Sequence, residues 1–412
     1  MDQTIKGLLQ AGHRVIYQRV VRSTGDLSCG DEKALHGAAA KGVEVLPLLI
    51  APAPMGGRWR RMIAPTLKDL YPETALAAEV ESRIRRTGCD VAFIFWNPEG
   101  LGATYGIKAV PKFVYYGMPD HSAGENRFLH PELFDLPRGN LLNTVRLKLW
   151  IRQNRIRGAF HMRLMRDCQS ISNLCAYHAG LYSRMGHPRS LYIQNTWPDA
   201  AGHLLAARET LKPMDRFKLM GSLGSLQTTG NTFGLHYLGA EVLPLLRRIL
   251  VSKPFEIHIY GDGQPHTSVA RVLCGPEIRW RGWVPDIDRE ILSSHLFLIM
   301  NNVGSYKGVH TRFLHAWSLE SCVVAHQDNA RGMPEMRHLE NVLLGRTPEE
   351  IADWIATALE DAGLRTRIAR GGRQTYETHF TPAIVVGKII RELEHLASGS
   401  KAPVPERSYQ LQ

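Results

Sequence analysis

Cysteine is scarce in this chain of 412 residues, and its six copies are scattered. No two of them form a Cys-x-x-C pair, and they build no dense group anywhere along the sequence. This distribution argues against a disulfide framework or a zinc site and favours reduced, buried thiols. Such cysteine usage is typical of the cytosol, so we expect a cytoplasmic protein.

Long apolar runs are also missing. No run approaches the ~18 uninterrupted apolar residues that a membrane span requires. Residues 1–13 lack the apolar stretch of a secretory signal. The longest apolar segment, VEVLPLLIAPAPM at 43–55, is interrupted by prolines. The sequence therefore predicts neither a spanning helix nor a secretory signal.

Acidic residues are too few to balance the basic ones. The chain has 39 Asp and Glu against 50 Lys and Arg, a net charge of +11. A basic balance suits a phosphorylated ligand, an acidic membrane surface or nucleic acid, although general solubility explains it equally well. None of the familiar nucleic-acid reader motifs is present, so we expect no nucleic-acid partner.

The basic excess is densest at 138–166, which holds eight Lys or Arg and no Asp or Glu. A set of apolar residues falls on one stripe of this segment at helical spacing. They are Leu142, Val145, Leu149, Ile156, Phe160 and Leu164. Two interpretations stay open. The segment is a basic helix resting on an anionic bilayer, or a solvated helix pair with Gly158 between the helices.

The chain does have length and a regular alternation. At 412 residues it exceeds one compact core, so two domains of about 200 residues each are expected. Short apolar runs such as CDVAFIFW (89–96) alternate with helical patterns such as LAAEVESRIRRTG (76–88). This alternation predicts parallel sheets covered by helices on both faces. We therefore predict an α/β fold with two doubly wound, Rossmann-like domains, at 1–205 and 206–380.

Strands in the second half end in glycine and other small residues. In open α/β sheets, ligands lie beyond the carboxyl ends of the strands. Glycine there lets backbone N–H groups approach a phosphate, and a following helix N-terminus adds a favourable dipole. The candidates for such a cradle are Gly221, Ser222, Gly224, Ser225, Gly261 and Gly263. Ordinary strand-to-loop turns are the alternative.

The segment KGVHTRFLHAWSLESCVVAH (307–326) repeats this design, because a glycine loop leads into a helix and then into an apolar strand. Gly308 can form the turn, and Thr311 can begin the helix. Arg312 can bind phosphate oxygens through two parallel hydrogen bonds. His315 can point back toward the ligand. A surface salt bridge for Arg312 and a packed helix position for His315 stay open.

The order of the segments resembles the donor-binding domain of a GT-B glycosyltransferase of retaining family 4, the glycosyl transferases group 1. The matching pieces cover about 215–395. They are FKLMGSLGSLQTTGNTFGLHYLGAEVLPLL, FEIHIYGDGQP, IRWRGWVPDIDREILSSHLFLIMN, KGVHTRFLHAWSLESCVVAH, DNARGMPEMRHLENVLLGRTPEEIADWI and YETHFTPAIVVGKIIREL. In the first half, RSLYIQNTWPD is similar to the end of that family's acceptor-binding domain.

This resemblance implies two Rossmann-like domains facing across a cleft, with 381–412 as a helix that crosses back to the first domain and a polar tail. It implies nucleotide-sugar binding by the glycine-rich set above and by Trp283, Val284, Lys307, Gly308 and Thr311. It assigns catalysis to Arg312, His315 and His121. The acceptor would contact YYGMPDHSAGEN (115–126), where Asp120, His121 and Glu125 are candidates.

The chain departs from the family pattern at several positions. The family often has Glu-x7-Glu, and Lys307 and His315 occupy those two positions here. The second glutamate normally accepts hydrogen bonds from the ribose hydroxyls, whereas a neutral histidine can accept only one. Glu320 replaces the glycine usual after the helix. The first loop, SLQTTGNTFG, has no basic residue, so Arg312 and Lys307 would supply the charge.

The resemblance implies a glycosyltransferase that moves a sugar from a nucleotide-sugar to a glycan or lipid-linked acceptor with retention, in surface polysaccharide or glycoconjugate synthesis. Guanidinium groups and helix N-termini can stabilise the leaving diphosphate, so neither a metal nor a cofactor is expected. Peripheral attachment to the inner membrane face stays open. A degraded GT-B protein that binds without transfer, or another GT-B enzyme such as an epimerase, are the alternatives.

Overall fold

The structure is a computed structural model of the chain. It describes residues 2–22, 37–53, 63–119, 121–136, 141–202, 205, 208–213, 215–303 and 307–399. In these ranges, no helix combines the length and the apolar character needed to cross a membrane.

The chain folds into two compact units. The first comprises Met1–Glu125, Leu141–Ile193 and Pro382–Gln412, and the second comprises Asn126–Asn140 and Gln194–Thr381. The predicted ranges, 1–205 and 206–380, differ from this division in two places, because residues 126–140 and 194–205 belong to the second unit.

The first unit contains parallel strands of very unequal length. Its strands are β1 (Ile16–Tyr17), β2 (Val20–Val21), β3 (Glu44–Val45), β4 (Leu49–Ile50), β5 (Ala92–Phe95), β6 (Lys112–Tyr116), β7 (Ser170–Asn173) and β8 (Ser190–Tyr192). Strands β5 to β8 form a four-stranded parallel sheet in that order, and β1 pairs with β3 and β2 with β4.

The sequence predicts single strands at 13–21 and 43–50, and the structure divides each of them into two. Pro47 has no N–H, so it cannot donate to a ladder. Its carbonyl oxygen instead accepts hydrogen bonds from the side chains of Gln18 and Arg83. The expectation of two continuous strands is wrong because a side-chain network replaces the ladder at the proline.

The helices of the first unit follow the predicted alternation. They are Asp2–Gln10, Leu67–Leu70, Ala77–Thr87, Pro98–Ala103, the start of Ser122–Leu129 as far as Glu125, Leu141–Arg166, Ala176–Arg184 and Pro382–Ala397, with a 3₁₀ turn at Pro72–Leu76. Gly88 ends the third of these in the left-handed region at φ 63°, as its sequence predicts. Helix Pro382–Ala397 belongs to the first unit, where buried Glu392 binds both guanidinium nitrogens of Arg189 at 2.7 and 2.6 Å.

The basic segment forms one helix, Leu141–Arg166. The interpretation as a helix pair divided at Gly158 is therefore wrong. Gly158 is buried inside the helix, where an added Cβ would lie 3.0 Å from the His121 ring. The helix end is buried through residues such as Leu164, whereas Leu141, Leu142 and Val145 at its start are 81%, 75% and 47% exposed.

The second unit has one continuous parallel sheet of six strands. They are β9 (Phe217–Ser222), β10 (Phe255–Tyr260), β11 (Ile278–Gly282), β12 (Leu296–Ile299), β13 (Val323–His326) and β14 (Leu343–Gly345). Their spatial order is β11-β10-β9-β12-β13-β14, and every neighbouring pair is parallel. The sequence predicts five of these strands and misses the short β14.

Helices cover both faces of this sheet. They are Arg208–Leu211, Thr229–Tyr237, Leu243–Ile249, Thr267–Val272, Ile287–Leu292, Thr311–Ser318, Pro348–Glu360 and Ala362–His379, with a π-helical turn at Leu238–Val242 and a 3₁₀ turn at Gln327–Arg331. Leu219 and Leu298 lie in one apolar core, and their neighbours Met220 and Phe297 lie in another. This alternation confirms the doubly wound prediction for the second unit.

Residues 126–136 contact the rest of the second unit through a few specific side chains. The Phe134 ring lies 5.9 Å from Phe233 and 5.4 Å from His266. The carboxylate of Asp135 accepts hydrogen bonds from the Thr267 backbone N–H at 2.9 Å and from His266 Nδ1 at 3.1 Å. Asp135 thereby caps the start of helix Thr267–Val272, which explains why this segment leaves the first unit.

Candidate active site

The strand order of the second unit creates a switch point. The chain begins at β9, continues outward through β10 and β11, and then returns to β12 on the other side of β9. Connections from β9 and β12 therefore diverge, and they leave a crevice beyond the carboxyl ends of these two strands. Ser222 ends β9, and Asn301 follows β12 by two residues.

Arg312 reaches this switch point from the start of helix Thr311–Ser318. Its Nη1 donates hydrogen bonds to Asn231 Oδ1 at 2.5 Å, Asn301 Oδ1 at 3.2 Å and Ser222 Oγ at 3.2 Å. The Asn301 amide nitrogen also donates to Asn231 Oδ1 at 2.9 Å. These three acceptors are neutral amide and hydroxyl oxygens, and together they orient the guanidinium.

The backbone before this helix is fixed by a second amide. Asn302 Nδ2 donates to the Gly308 carbonyl at 2.6 Å, and Asn302 Oδ1 lies 2.9 Å from His310 Nε2. His310 is buried, and burial together with the charge of Arg312 holds the pKa of its imidazole well below the ordinary value. A neutral His310 therefore donates from Nε2 to Asn302, and this bond orients the first turn that carries Thr311 and Arg312.

Two glycine loops pack against each other beside the switch point. Gly224 has φ 90° and is exposed, and Gly263 has φ 79° and is exposed. Gly261 has φ 146°, and a Cβ there would lie 1.9 Å from the Gly224 carbonyl oxygen. Gly261 is therefore required for the approach of the two loops, while Gly224 and Gly263 leave backbone exposed near the ends of β9 and β10.

Gly221 is located inside β9, away from the loop. A Cβ at this position would lie 2.5 Å from Ile257 Cγ2 and 2.6 Å from Ile259 Cδ1 on β10. The glycine therefore gives room to two isoleucine side chains of the core. The next residue, Ser222, points its hydroxyl to Arg312, and the half-buried Ser225 accepts a hydrogen bond from Asn231 Nδ2 at 2.7 Å through its carbonyl.

His315 is packed inside the second unit. It is 5% exposed, and its ring lies 4.8 Å from the Trp197 ring at an interplanar angle of 30°. Its Nε2 donates to Asp288 Oδ1 at 2.5 Å. Burial lowers the pKa of His315, and the hydrogen bond and charge of Asp288 oppose that shift. The His315 imidazole is thus hydrogen-bonded to the Asp288 carboxylate, and the Asp288 side chain is 33% exposed.

The other residues predicted to bind the nucleotide-sugar have different surroundings. Lys307 Nζ donates to Asp328 Oδ2 at 2.6 Å, so much of its charge is paired within the unit. Thr311 begins the helix and is half-buried. Trp283 follows β11 and is 75% exposed, whereas Val284 packs against the core that contains Phe297.

The sequence contains one Asp-x-Asp, Asp286-Ile287-Asp288, a type of carboxylate pair that can hold a divalent cation. Asp286 accepts a hydrogen bond from the Arg289 backbone N–H at 3.0 Å and caps helix Ile287–Leu292. Asp288 binds His315. Across the part of the chain that the structure describes, no group of three or more His, Cys, Asp or Glu is placed to hold a metal ion.

The predicted acceptor residues belong to the first unit. Asp120 lies outside the described residues, and Glu125 is exposed on helix Ser122–Leu129. The His121 carbonyl accepts a hydrogen bond from Asn154 Nδ2 at 2.8 Å, and its ring lies 6.4 Å from that of His161. His121 therefore sits in a histidine-rich cluster near the carboxyl ends of β6 and β7.

His178 completes this cluster and is 2% exposed. Burial, together with the charges of His121 and His161, lowers the pKa of its imidazole to about 3. His161 Nε2 lies 2.9 Å from the Tyr182 hydroxyl. His178 is thus a buried, uncharged imidazole at neutral pH.

Sequence reasoning missed three polar residues of the switch point: Asn231, Asn301 and Asp288. The pair Asn301-Asn302 directly follows a buried strand, and that was a usable signal, because polar side chains at strand ends meet at one sheet edge. Asn231 lies in SLQTTGNTFG, a loop notable in the sequence only for its lack of basic residues. Asp288 had no local signal, because only the fold brings it to His315.

With this geometry established, the second unit can be compared with known proteins. Residues 218–361 match the family model Glycosyl transferases group 1. No curated protein matches the chain in sequence. The matched range contains the switch point and Arg312, His315 and Asp288.

Solved structures match nearly the whole chain in fold. A glycosyltransferase from Rickettsia africae ESF-5 is 10% identical, with a TM-score of 0.60 over 97% of this chain and 94% of its own. Sucrose-phosphate synthase from Thermosynechococcus elongatus is 11% identical, with a TM-score of 0.61 over 94% of this chain and all 100% of its own. Anabaena Alr3699/HepE is 15% identical, with a TM-score of 0.56 over 93% of this chain and 100% of its own.

At such low sequence identity, the structural matches establish a shared fold only. The family model matches residues 218–361, which lie in the second unit. The parallel sheets of the two units agree with the predicted α/β architecture. Residues 218–361 therefore carry a glycosyl transferases group 1 domain, and the chain has a GT-B fold.

Proposed function

We propose that the chain is a glycosyltransferase and that it binds the diphosphate of a nucleotide-sugar at the switch point of its second sheet. The observation that carries the proposal is the guanidinium of Arg312, oriented beyond the ends of β9 and β12 by Ser222, Asn231 and Asn301. Phosphate oxygens match guanidinium geometry, and the N-terminus of helix Thr229–Tyr237 adds its dipole at the same edge. The Anabaena structural neighbour, described in complexes with UDP and UDP-glucose, supports this ligand class.

The transfer step follows from that placement. The bond between the anomeric carbon and the diphosphate oxygen breaks, and its electron pair leaves with the diphosphate. The acceptor oxygen bonds to the anomeric carbon, and its proton passes to the diphosphate. Arg312 stabilises the negative charge that grows on the leaving group. The guanidinium supplies this stabilisation, so our proposal includes no metal, and transfer should persist when EDTA is added.

Asp288 takes the place of the family's second glutamate in this proposal. Its partly exposed carboxylate accepts hydrogen bonds from the ribose hydroxyls, and His315 positions it through the 2.5 Å bond. His315 thus acts through Asp288, because its own ring is packed against Trp197. In this proposal, the absence of the family's second glutamate is compatible with catalysis.

We further propose a glycan or lipid-linked acceptor, retention of configuration, and a role in surface polysaccharide or glycoconjugate synthesis at the inner face of an anionic membrane. Helix Leu141–Arg166 supports the membrane part. Leu141 and Leu142 are exposed at its start, and Arg146 lies 5.1 Å over the Trp150 ring. Apolar residues beside arginines suit the interface of an anionic bilayer.

A panel of nucleotides and nucleotide-sugars tests the donor. A ligand present at about a hundred times its Kd should stabilise the protein by about 2.7 kcal/mol, which thermal shift detects. Hydrolysis of a bound nucleotide-sugar by the purified chain would then establish catalysis. Binding without hydrolysis or transfer would favour the alternative of a GT-B protein that recognises the donor only. No response to any donor would reject the proposal.

Two further measurements test the finer parts. Flotation with phosphatidylglycerol vesicles should recover the protein, whereas phosphatidylcholine vesicles should not, and Leu142→Glu should reduce the recovery. Equal recovery by both lipids would remove the membrane role. NMR of the product gives the anomeric configuration, and inversion would contradict retention.

A further inference from the structure

Trp96 has an unusual position at the edge of the first sheet. It directly follows β5, and its backbone N–H donates to the Tyr115 carbonyl at 2.7 Å. Its φ is 37°, in the left-handed region that bulky side chains rarely adopt. The side chain is nevertheless 47% exposed, so its burial offsets little of the free-energy cost of this backbone conformation. Strained residues that persist without full burial often serve a function.

The indole lies directly over Gly117, the residue that follows β6. A Cβ on Gly117 would lie 2.2 Å from both Cε2 and Cζ2 of the ring. Gly117 does not have a positive φ, so its backbone does not require glycine. The glycine therefore makes room for the ring. The Gly117 carbonyl accepts a hydrogen bond from Asn173 Nδ2 at 2.5 Å, which fixes the support beneath the indole.

Charged groups lie at the same edge of the fold. Glu99 comes three residues after Trp96 in helix Pro98–Ala103, and Arg22 follows β2. Arg22 Nε is 3.7 Å from Glu99 Oε1, and the two side chains are 37% and 25% exposed. Arg22 also pairs with Glu73, which is completely buried. Both exposed groups can hydrogen-bond hydroxyls, one as donor and the other as acceptor.

An exposed aromatic face on a glycine support, followed by a helix whose Glu99 is paired with Arg22, suits one ligand class. A pyranose ring has an apolar face of C–H groups and hydroxyls at its edge, so it can stack on an indole while its hydroxyls meet a carboxylate and a guanidinium. A nucleobase also stacks on aromatic rings. The diphosphate site proposed above lies on the second sheet, however. The nucleobase of the nucleotide-sugar is therefore a less suitable ligand for the Trp96 face than a sugar ring.

We propose that Trp96 is the stacking platform for a sugar ring of the acceptor, and that Glu99 and Arg22 bind the hydroxyls of that ring. The inference rests on the proposed glycosyl transfer and adds the substrate class and the residues of the acceptor side. It makes Trp96 a specificity-determining residue, because the indole selects ligands with one continuous apolar face.

Saturation-transfer NMR on the full chain tests the platform directly. The probes are the methyl glycosides of glucose, galactose, mannose and N-acetylglucosamine at high millimolar concentration. At least one should receive saturation on the protons of one ring face, and Trp96→Gly should abolish it. Glycine accepts φ 37° without strain, so this variant keeps the backbone. Gly117→Ala should weaken the signal as well, because its Cβ displaces the indole.

A matched control and a second readout separate the outcomes. Trp280, which is 40% exposed on β11, can be changed to Ala without effect on the glycoside signal. In transfer assays Trp96→Ala should raise the acceptor KM roughly tenfold and leave donor hydrolysis unchanged. The inference is overturned by a wild type silent to every glycoside, by an unchanged Trp96→Gly signal, or by a loss of nucleotide affinity in that variant. A wild type that binds glycosides but no nucleotide would instead reject the proposed donor.

Discussion

The two sheets end in different chemistry at their carboxyl edges. In the second unit, β9 and β12 end in a hydroxyl, two amides and a guanidinium, contributed by Ser222, Asn231, Asn301 and Arg312. In the first unit, β5 and β6 end in an exposed indole over a glycine. From the same geometric rule, that ligands lie beyond strand ends, we propose an anion site in one unit and a stacking face in the other.

The difference explains why sequence reasoning performed unequally in the two units. A phosphate site needs glycine loops and a cation, and both leave recognisable patterns such as KGVHTRFLHAW. A stacking face needs only one aromatic residue and a flat support, which no short motif records. The experiments below test whether the two edges have these separate roles.

The largest effect is expected at the anion site. Arg312→Ala removes charge-assisted bonds to phosphate, so nucleoside diphosphate affinity should fall by about 1.5–3 kcal/mol, roughly 10- to 150-fold in Kd. Isothermal titration with UDP measures it. Arg271→Ala, an exposed arginine of the same unit, is the control and should bind normally. An unaffected Arg312→Ala would show that the guanidinium is structural and would remove the contrast between the two edges.

Gly221→Ala should act on stability. Its Cβ would lie 2.5 Å from Ile257 Cγ2, and overpacking of this kind costs about 1–3 kcal/mol of unfolding free energy. Urea denaturation measures the loss. Gly387→Ala, inside helix Pro382–Ala397 where a Cβ comes no closer than 3.6 Å to its neighbour, should cause none. A stable Gly221→Ala protein with impaired UDP binding would instead support the prediction that Gly221 helps to bind the phosphates.

His178 should make the first unit sensitive to acid. Its folded pKa is about 3 against an ordinary 6.5, so the unfolded chain binds more protons at intermediate pH. Stability from this group is complete above pH 6.5 and is lost as the pH falls toward 3. The slope approaches ~1.4 kcal/mol per pH unit.

Urea denaturation at pH 7 and pH 5 measures this effect. The drop in unfolding free energy between the two should be smaller in His178→Gln than in the wild type. An identical drop in both proteins would mean that His178 does not control the acid response.

Asp288 should give the smallest change. Asp288→Asn keeps the shape of the side chain but loses the negative charge, so UDP binding should weaken by about 1 kcal/mol. His315→Glu restores the family's usual carboxylate, yet it should also weaken binding, because it would face Asp288 at hydrogen-bond distance. The exchanged pair, His315→Glu with Asp288→His, should recover part of the loss. Improved binding by His315→Glu alone would contradict the role of Asp288.

Local pattern was sufficient for much of the fold and for part of the site. Strands β9 to β13 of the second unit and the helix Ala77–Thr87 follow from apolar runs and glycine stops, whereas the short β14 does not. Pattern failed where one long-range contact decided the outcome. Pro47 divides two strands through the side chains of Gln18 and Arg83. Segment 126–140 joins the second unit because Asp135 caps a helix that is distant in sequence.

The alternation of strands and helices, the glycine loops and the position of Arg312 at a helix start each depend on neighbours within a few residues, so they can be predicted from local pattern. Long-range packing is what brings Arg312 to Asn231 and Asn301, His315 to Asp288, and Trp96 over Gly117. Strand order determines which loops lie at the same edge of a sheet. Strand order depends in turn on the burial of apolar faces, which no single segment encodes.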